Sequence, residues 1–348
     1  MRALLYTVVF SIPILTLVAF ELGGIWTFLP IIEAFVLIPL LELLLPASRK
    51  NLNEGERDAV KHNPLFDWLL YLVPIAVYGC LFVFLNKLSE GNLLWYETLG
   101  MILSQGLVMG ALGINVAHEL GHRPNKREQF MAKLLLTAAQ YTQFFIDHNK
   151  GHHRNVGTPK DAATAHYNES VYAYWFRVIP STYASAWKIA NKEISRKKKA
   201  KFSWSNEMLR MQFGQLILIA ITFYSFGWKV GLYYLGAALF AIILLETVQY
   251  VEHYGLSRKK VTENRYENVR PIHSWNSNHM LGRLFLFELS RHSDHHYDPV
   301  KKYPLLDHWE ESPQLPTGYP GCMLMSTLPP LWFKVVNPRI PEEAKVDA

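Results

Sequence analysis

The sequence predicts an all-α integral membrane protein with six transmembrane helices and a cytoplasmic helical cap rich in histidine. Three observations predict it. Several apolar runs are long enough to cross a bilayer, Lys and Arg gather on one side of those runs, and nine of the fourteen histidines fall into four groups.

Half of the 348 residues are apolar, 14% are aromatic and only 18% are charged, against about 25% charged in typical globular chains. Mean hydropathy is nevertheless only +0.04, too polar for a chain lying wholly in lipid. An apolar half inside a bilayer and a polar half outside it satisfies both figures. The apolar content excludes disorder. Two cysteines, Cys80 and Cys322, exclude a disulfide scaffold, a cysteine-rich zinc module and a four-cysteine iron site. The net charge of +6 suits basic loops beside a membrane better than a nucleic-acid partner, because the apolar runs dominate.

A spanning helix needs about 20 mostly apolar residues, since each rises about 1.5 Å through about 30 Å of hydrocarbon. Charge-free runs occupy 3–20, 68–85, 98–117, 211–228 and 230–245, and a run over 22–41 is interrupted only by Glu33. They predict spans over 3–20, 24–44, 67–86, 97–117, 210–228 and 230–251. The first run starts with Arg2 but no A-x-A cleavage site follows it, so it reads as a retained helix. The connections near 21–25, 87–95 and 229 carry zero, one and one basic residue. The connection 47–65 carries Arg49, Lys50, Arg57 and Lys61, and 188–201 adds six lysines and Arg196. Positive charge stays inside, so both termini and the polar regions 118–208 and 252–348 are expected in the cytoplasm. Residues 130–147 are apolar enough to suggest a seventh span, but crossing would separate the histidines on either side; the segment reads as a cytoplasmic or interfacial helix. Residues 171–194 read as a second surface helix, and the Pro- and Gly-rich tail beyond Pro304 as irregular but packed. With no internal repeat and no long linker, the chain reads as a single domain, 1–348.

His118 and His122 sit in H-E-L-G-H at the end of the fourth span, and i,i+4 spacing puts both rings on one helix face. His148, His152 and His153 form H-N-K-G-H-H, His253 closes the sixth span, and His292, His295 and His296 form H-S-D-H-H. All four groups fall at the same cytoplasmic edge. A lone histidine is usually structural, but imidazole is the commonest metal ligand and suits Zn, Cu, Fe and Ni. Nine nitrogens exceed what one ion can use, so two metals are implied. H-E-x-x-H alone suggests a zinc protease with Glu119 as general base. That reading fits poorly, because such a site needs three protein ligands and leaves the other histidines idle. A metal transporter is a non-enzyme alternative, but its weak ligands belong near the bilayer midplane, not at one edge.

The motifs HELGHR, DHNKGHHRNVGTP, VEHYGLSR, SWNSNH, SRHSDHH and LPTGYPG (315–321) resemble those of membrane-integral alkane hydroxylases, the alkane 1-monooxygenases. The resemblance runs from about residue 25 to residue 322. Xylene monooxygenase hydroxylase subunits belong to the same group, whereas fatty-acid desaturases share only the style of the histidine groups. The resemblance implies a non-haem di-iron site under a six-span bundle, in a single membrane-bound hydroxylase domain of the cell inner membrane. Its implied ligands are His118, His122, His148, His152, His153, His253, His292, His295 and His296, with no bridging carboxylate. Neutral imidazoles leave two Fe(II) ions uncompensated, so carboxylates are expected beside the ligands. Glu119, Asp147, Glu252 and Asp294 adjoin ligands in sequence and Glu288 lies one turn before His292; the alternative for each is a solvated acid or a helix cap. His273 and His279 stay unassigned, and His62, His166 and His308 are expected on the surface.

The implied reaction consumes O2, two electrons and two protons and converts an n-alkane to a primary alcohol and water. An alkane has no polar handle, so selection must be steric, in a slot that admits the chain end-on. Ala34 and Phe35 lie midway along the second span and are candidates for its far wall; Glu33 beside them needs a partner at that depth. The chain has neither four cysteines nor a G-x-G-x-x-G fingerprint, so electrons come from outside. The resemblance implies rubredoxin, with rubredoxin reductase. The Arg196–Lys201 run is a docking candidate, or equally an anchor to anionic lipid. A xylene-type methyl hydroxylase and a fatty-acyl desaturase or hydroxylase remain alternatives.

Overall fold

A computed structural model describes residues 2–263 and 265–345. It is predominantly helical; among the described residues the only strands, Lys260–Thr262 and Arg265–Tyr266, form a short antiparallel ribbon. Among the described residues, five helices are long and apolar enough to cross a membrane: Arg2–Leu22, Gly24–Leu44, Leu65–Ser89, Trp95–His122 and Glu207–His253. The last has 47 residues, about 70 Å if straight, more than twice the hydrocarbon thickness. It is broken at Gly227, whose φ of 83° and ψ of 167° lie outside the helical region. Only glycine adopts that conformation without strain. The runs expected at 211–228 and 230–245 therefore belong to two helical stretches that meet at a kink at Gly227.

The chain forms two compact units, each assembled from three separated stretches. The first comprises Met1–Val36, Leu65–Asp147 and Ala184–Leu245. In it, a Cβ on Gly106 would lie 2.7 Å from the Ala237 carbonyl, and one on Gly110 would lie 3.1 Å from that of Ala241. Glycine four residues apart thus lets the histidine-bearing helix touch the Glu207–His253 backbone, the small-residue packing typical of spans. Two π-helical turns, Glu33–Leu37 and Val108–Ile114, interrupt the second and fourth apolar helices.

The apolar segment 130–147 is not one helix. Lys126–Ala138 and Gln143–Asp147 are separated by a turn in which Gln140 has φ 55°. Thirteen residues rise about 20 Å, too short to span. Val171–Arg196 forms a single 26-residue helix with Tyr174, Val178, Thr182, Ala186, Ala190 and Ile194 buried at every fourth position.

The second unit comprises Leu37–Pro64, His148–Tyr183 and Glu246–Ala348. Its core gathers Trp275, Trp332, Tyr250 and Tyr254, all at most 1% exposed. Here the tail beyond Pro304 corrects the expectation of irregular structure: Tyr319–Ser326 and Pro329–Val336 are helices. Pro320, Pro329 and Pro330 sit in their first turns, where proline's missing N–H costs nothing.

Candidate metal centre

The second unit contains seven of the nine grouped histidines, and they divide into two sets. In each set the ligand atoms all lie within 4.8 Å of one another. One set is His152, His253, His292 and His296, all buried. Its Nε2 atoms meet in series: His152 to His296 at 3.3 Å, His296 to His292 at 2.9 Å, and His292 to His253 at 3.1 Å. The other contains His148, His153 and His295, with Nε2 separations of 3.0 Å between His148 and His153 and 3.1 Å between His153 and His295.

Local backbone explains the division. His148–His152 is a π-helical turn, which repeats every i→i+5 rather than i→i+4. That wider turn brings His148 and His153 together and turns His152 away to the other set. His295 and His296, adjacent on the helix His292–Tyr297, likewise serve different sets. In the first unit, His118 and His122 end the helix Trp95–His122 with ring centroids 5.0 Å apart.

These sets fit metal ions. Nitrogens about 2.1 Å from one ion in tetrahedral or octahedral geometry are about 3.0–3.4 Å apart, and the observed separations match. The tautomer of His152 also fits. Its Nδ1 donates to Asp161 Oδ2 at 2.9 Å, so Nε2 keeps a lone pair directed into the set, the carboxylate–histidine–metal arrangement. Burial by itself would raise the Asp161 carboxyl, but His152 and Thr164 hold it below its ordinary value. Burial, reinforced by His153, holds His296 well below the usual imidazole range and so in the neutral form a metal would need.

The carboxylates behave differently from one another. Glu252 Oε1 lies 3.2 Å from His292 Nδ1 and accepts from the Tyr319 hydroxyl at 3.0 Å. Asp294 accepts from Lys301 Nζ, the Asp307 N–H and Trp309 Nε1, each at 2.7 Å, and so ties down the loop after the histidine helix. Glu288 is clasped by Arg283 Nε at 2.6 Å and Nη2 at 3.1 Å. Glu119 accepts from Arg123 Nη2 at 2.8 Å, and the same guanidinium holds Asp67 at 2.6 Å and Glu128 at 3.1 Å. Asp147 is buried at the end of its helix.

Asp161 escaped sequence reasoning because it lies outside the histidine groups, nine positions beyond His152. Tyr319 lay inside the LPTGYPG motif without a role. His308, expected on the surface, is buried: its N–H donates to Asn51 Oδ1 at 2.7 Å and Asn278 Nδ2 donates to its Nδ1 at 3.1 Å. Burial lowers its pKa, partly offset by Glu310. His273 is buried against Glu267 at 3.3 Å, His279 Nδ1 lies 3.0 Å from Ser277 Oγ, and His62 and His166 are exposed. Ala34 is buried and Phe35 half-buried in the π turn of the second helix, where Glu33 accepts from Ser11 Oγ at 2.6 Å.

An alkane 1-monooxygenase 2 of Pseudomonas aeruginosa is 37% identical over 318 residues, covering 90% of this chain and 84% of its own length. The chain belongs to the alkane 1-monooxygenase family. A Pseudomonas putida alkane 1-monooxygenase is 36% identical over 324 residues, 93% of this chain and 80% of that one. The xylene/toluene monooxygenase hydroxylase component XylM of Pseudomonas putida is 28% identical over 340 residues, 94% and 86% of the two chains. Residues 93–323 match the fatty acid desaturase family model, so this family's likeness to desaturases extends well beyond the histidine groups.

Proposed function

We propose that this chain is a membrane-integral monooxygenase that hydroxylates the terminal carbon of n-alkanes to primary alcohols, using O2 and an external electron donor. The observation that carries it is the pair of imidazole sets, one of them wholly buried, in a chain 36–38% identical to alkane 1-monooxygenases over most of its length.

The nine histidines His118, His122, His148, His152, His153, His253, His292, His295 and His296 are read as ligands to two iron ions. Such ions supply reductive activation of O2 and transfer of one oxygen atom. The chain's own residues hold and orient the ligands. Asp161 keeps the His152 proton on Nδ1. The Tyr319 hydroxyl holds Glu252 against His292. Glu119 and Asp294 restrain the backbone at their histidine motifs through Arg123 and through Lys301 with Trp309. Burial of the imidazoles keeps bulk water away, and an alkane is selected by fit alone, with Ala34 and Phe35 offered as pocket wall.

Six spans are favoured over five, because the stretches before and after Gly227 are each long enough to cross about 30 Å. Lys and Arg asymmetry favours cytoplasmic termini in the inner membrane, and the chain is read as one hydroxylase domain. Rubredoxin, served by rubredoxin reductase, is the proposed donor, and the Arg196–Lys201 run its docking surface or a lipid anchor.

Methyl hydroxylation of xylene is the second reading, favoured by the XylM likeness. Purified protein given octane, xylene and a fatty acyl substrate in parallel decides between them. Octan-1-ol as the main product, with two irons per chain by metal analysis and Mössbauer spectroscopy, supports the proposal. Methylbenzyl alcohol, a desaturated acyl chain or another metal as the main result overturns it.

A further inference from the structure

Asn115 is 6% exposed, and its side-chain amide nitrogen has no hydrogen-bond partner among the described residues. It begins the regular helical stretch Asn115–His122. Spacing of i, i+3 and i+7 places Asn115, His118 and His122 on one face, with Cβ atoms of successive turns about 5–6 Å apart. Asn115 is thus one turn deeper in the apolar helix than His118. Its sequence neighbours Leu112, Ile114 and Val116 are fully buried and carry no side-chain acceptor. A buried donor without an acceptor has lost its hydration with nothing in return, and in a native fold such a group calls for an explanation.

The substrate offers no acceptor, but the product does. Resting on the alkane hydroxylase reading, we infer that the Asn115 amide donates a hydrogen bond to the hydroxyl oxygen of the newly formed primary alcohol beside His118. The amide then distinguishes product from substrate: it adds nothing to alkane affinity and holds the alcohol end in register.

Radiolabelled octan-1-ol and octane are titrated onto the full-length, iron-loaded protein in nanodiscs without electron donor, with empty discs subtracted. Asn115→Leu removes the donor at similar size; Asn115→Ser retains a shorter one and is the milder change for folding. Octan-1-ol affinity is expected to fall about five- to tenfold in Asn115→Leu and less in Asn115→Ser, with octane affinity unchanged in both. Unchanged octan-1-ol affinity in Asn115→Leu, or equal losses for both ligands in both variants, overturns the inference and leaves the amide to a bound water or to packing. Turnover of octane by the wild type in the same discs separates the two readings. Its absence counts against hydroxylation, whereas normal turnover with unaltered alcohol binding in the variants counts against Asn115 alone.

Discussion

Asp161 Oδ2 receives the Nδ1 proton of His152 at 2.9 Å, and both side chains are almost fully removed from solvent. The carboxylate decides which nitrogen of His152 carries the proton, and so leaves Nε2 with its lone pair facing the neighbouring imidazoles. Asp161→Asn keeps the shape and removes the charge. It is expected to lower metal affinity about 10–100-fold, read as iron content after dialysis against a graded chelator. Wild-type retention at every chelator concentration would falsify the role.

Alanine at His292 or His153 is expected to abolish turnover and to lower iron per chain, because each contributes an Nε2 to a different imidazole set. His62, which is exposed, serves as the control and should be near neutral. Full iron and full turnover in either ligand variant would remove that residue from the site.

His308 links pH to stability. Its folded pKa lies below the ordinary 6.5, so between that value and about 6.5 the unfolded chain binds the extra proton. The stabilisation is complete above about pH 6.5 and is lost as pH falls. Glu310, Asn278, Arg291 and Arg49 surround the ring and are unchanged in the test. Wild-type Tm in detergent should fall from pH 7 to pH 5, and His308→Asn should show a shallower fall. Parallel curves for the two proteins would show that His308 does not contribute.

Gly318 faces a carboxylate. A Cβ there would overlap Glu42 Oε2, while Glu42 Oε1 accepts from the Gly282 N–H at 2.8 Å. Gly318→Ala should therefore destabilise the protein by about 1–3 kcal/mol, the usual cost of overpacking, seen as a lower Tm. Adding Glu42→Ala should restore part of the loss. A single variant as stable as wild type would contradict the packing.

Ala34→Trp and Phe35→Ala are expected to shift the preferred alkane length in opposite directions, the first shortening the slot and the second lengthening it. Each buried CH2 contributes about 0.8 kcal/mol, so losing room for two costs more than about tenfold in binding. The check is the product distribution over medium and long alkanes at intact iron content. Identical distributions would place the pocket end elsewhere.

Much of this protein was legible in one dimension, because the deciding properties are local. An apolar run reveals a membrane helix through its length alone, and the i,i+4 spacing of His118 and His122 states a shared face through helix geometry. Histidine groups as dense as H-N-K-G-H-H and H-S-D-H-H announce metal chemistry before any fold is known. Tertiary structure decided what depends on distant partners. A π turn separates His152 from His153, although by sequence they are neighbours. Asp161 reaches His152 from outside every motif, while Glu288, one turn before His292, and Asp294, between His292 and His295, are held by Arg283 and Lys301. His308 reads as a surface residue until Asn51, more than 250 positions earlier, covers it. Spacing along the chain determines which side chains share a helix face; only folding determines what stands opposite that face, because burial and hydrogen bonding are made by residues that sequence order keeps apart.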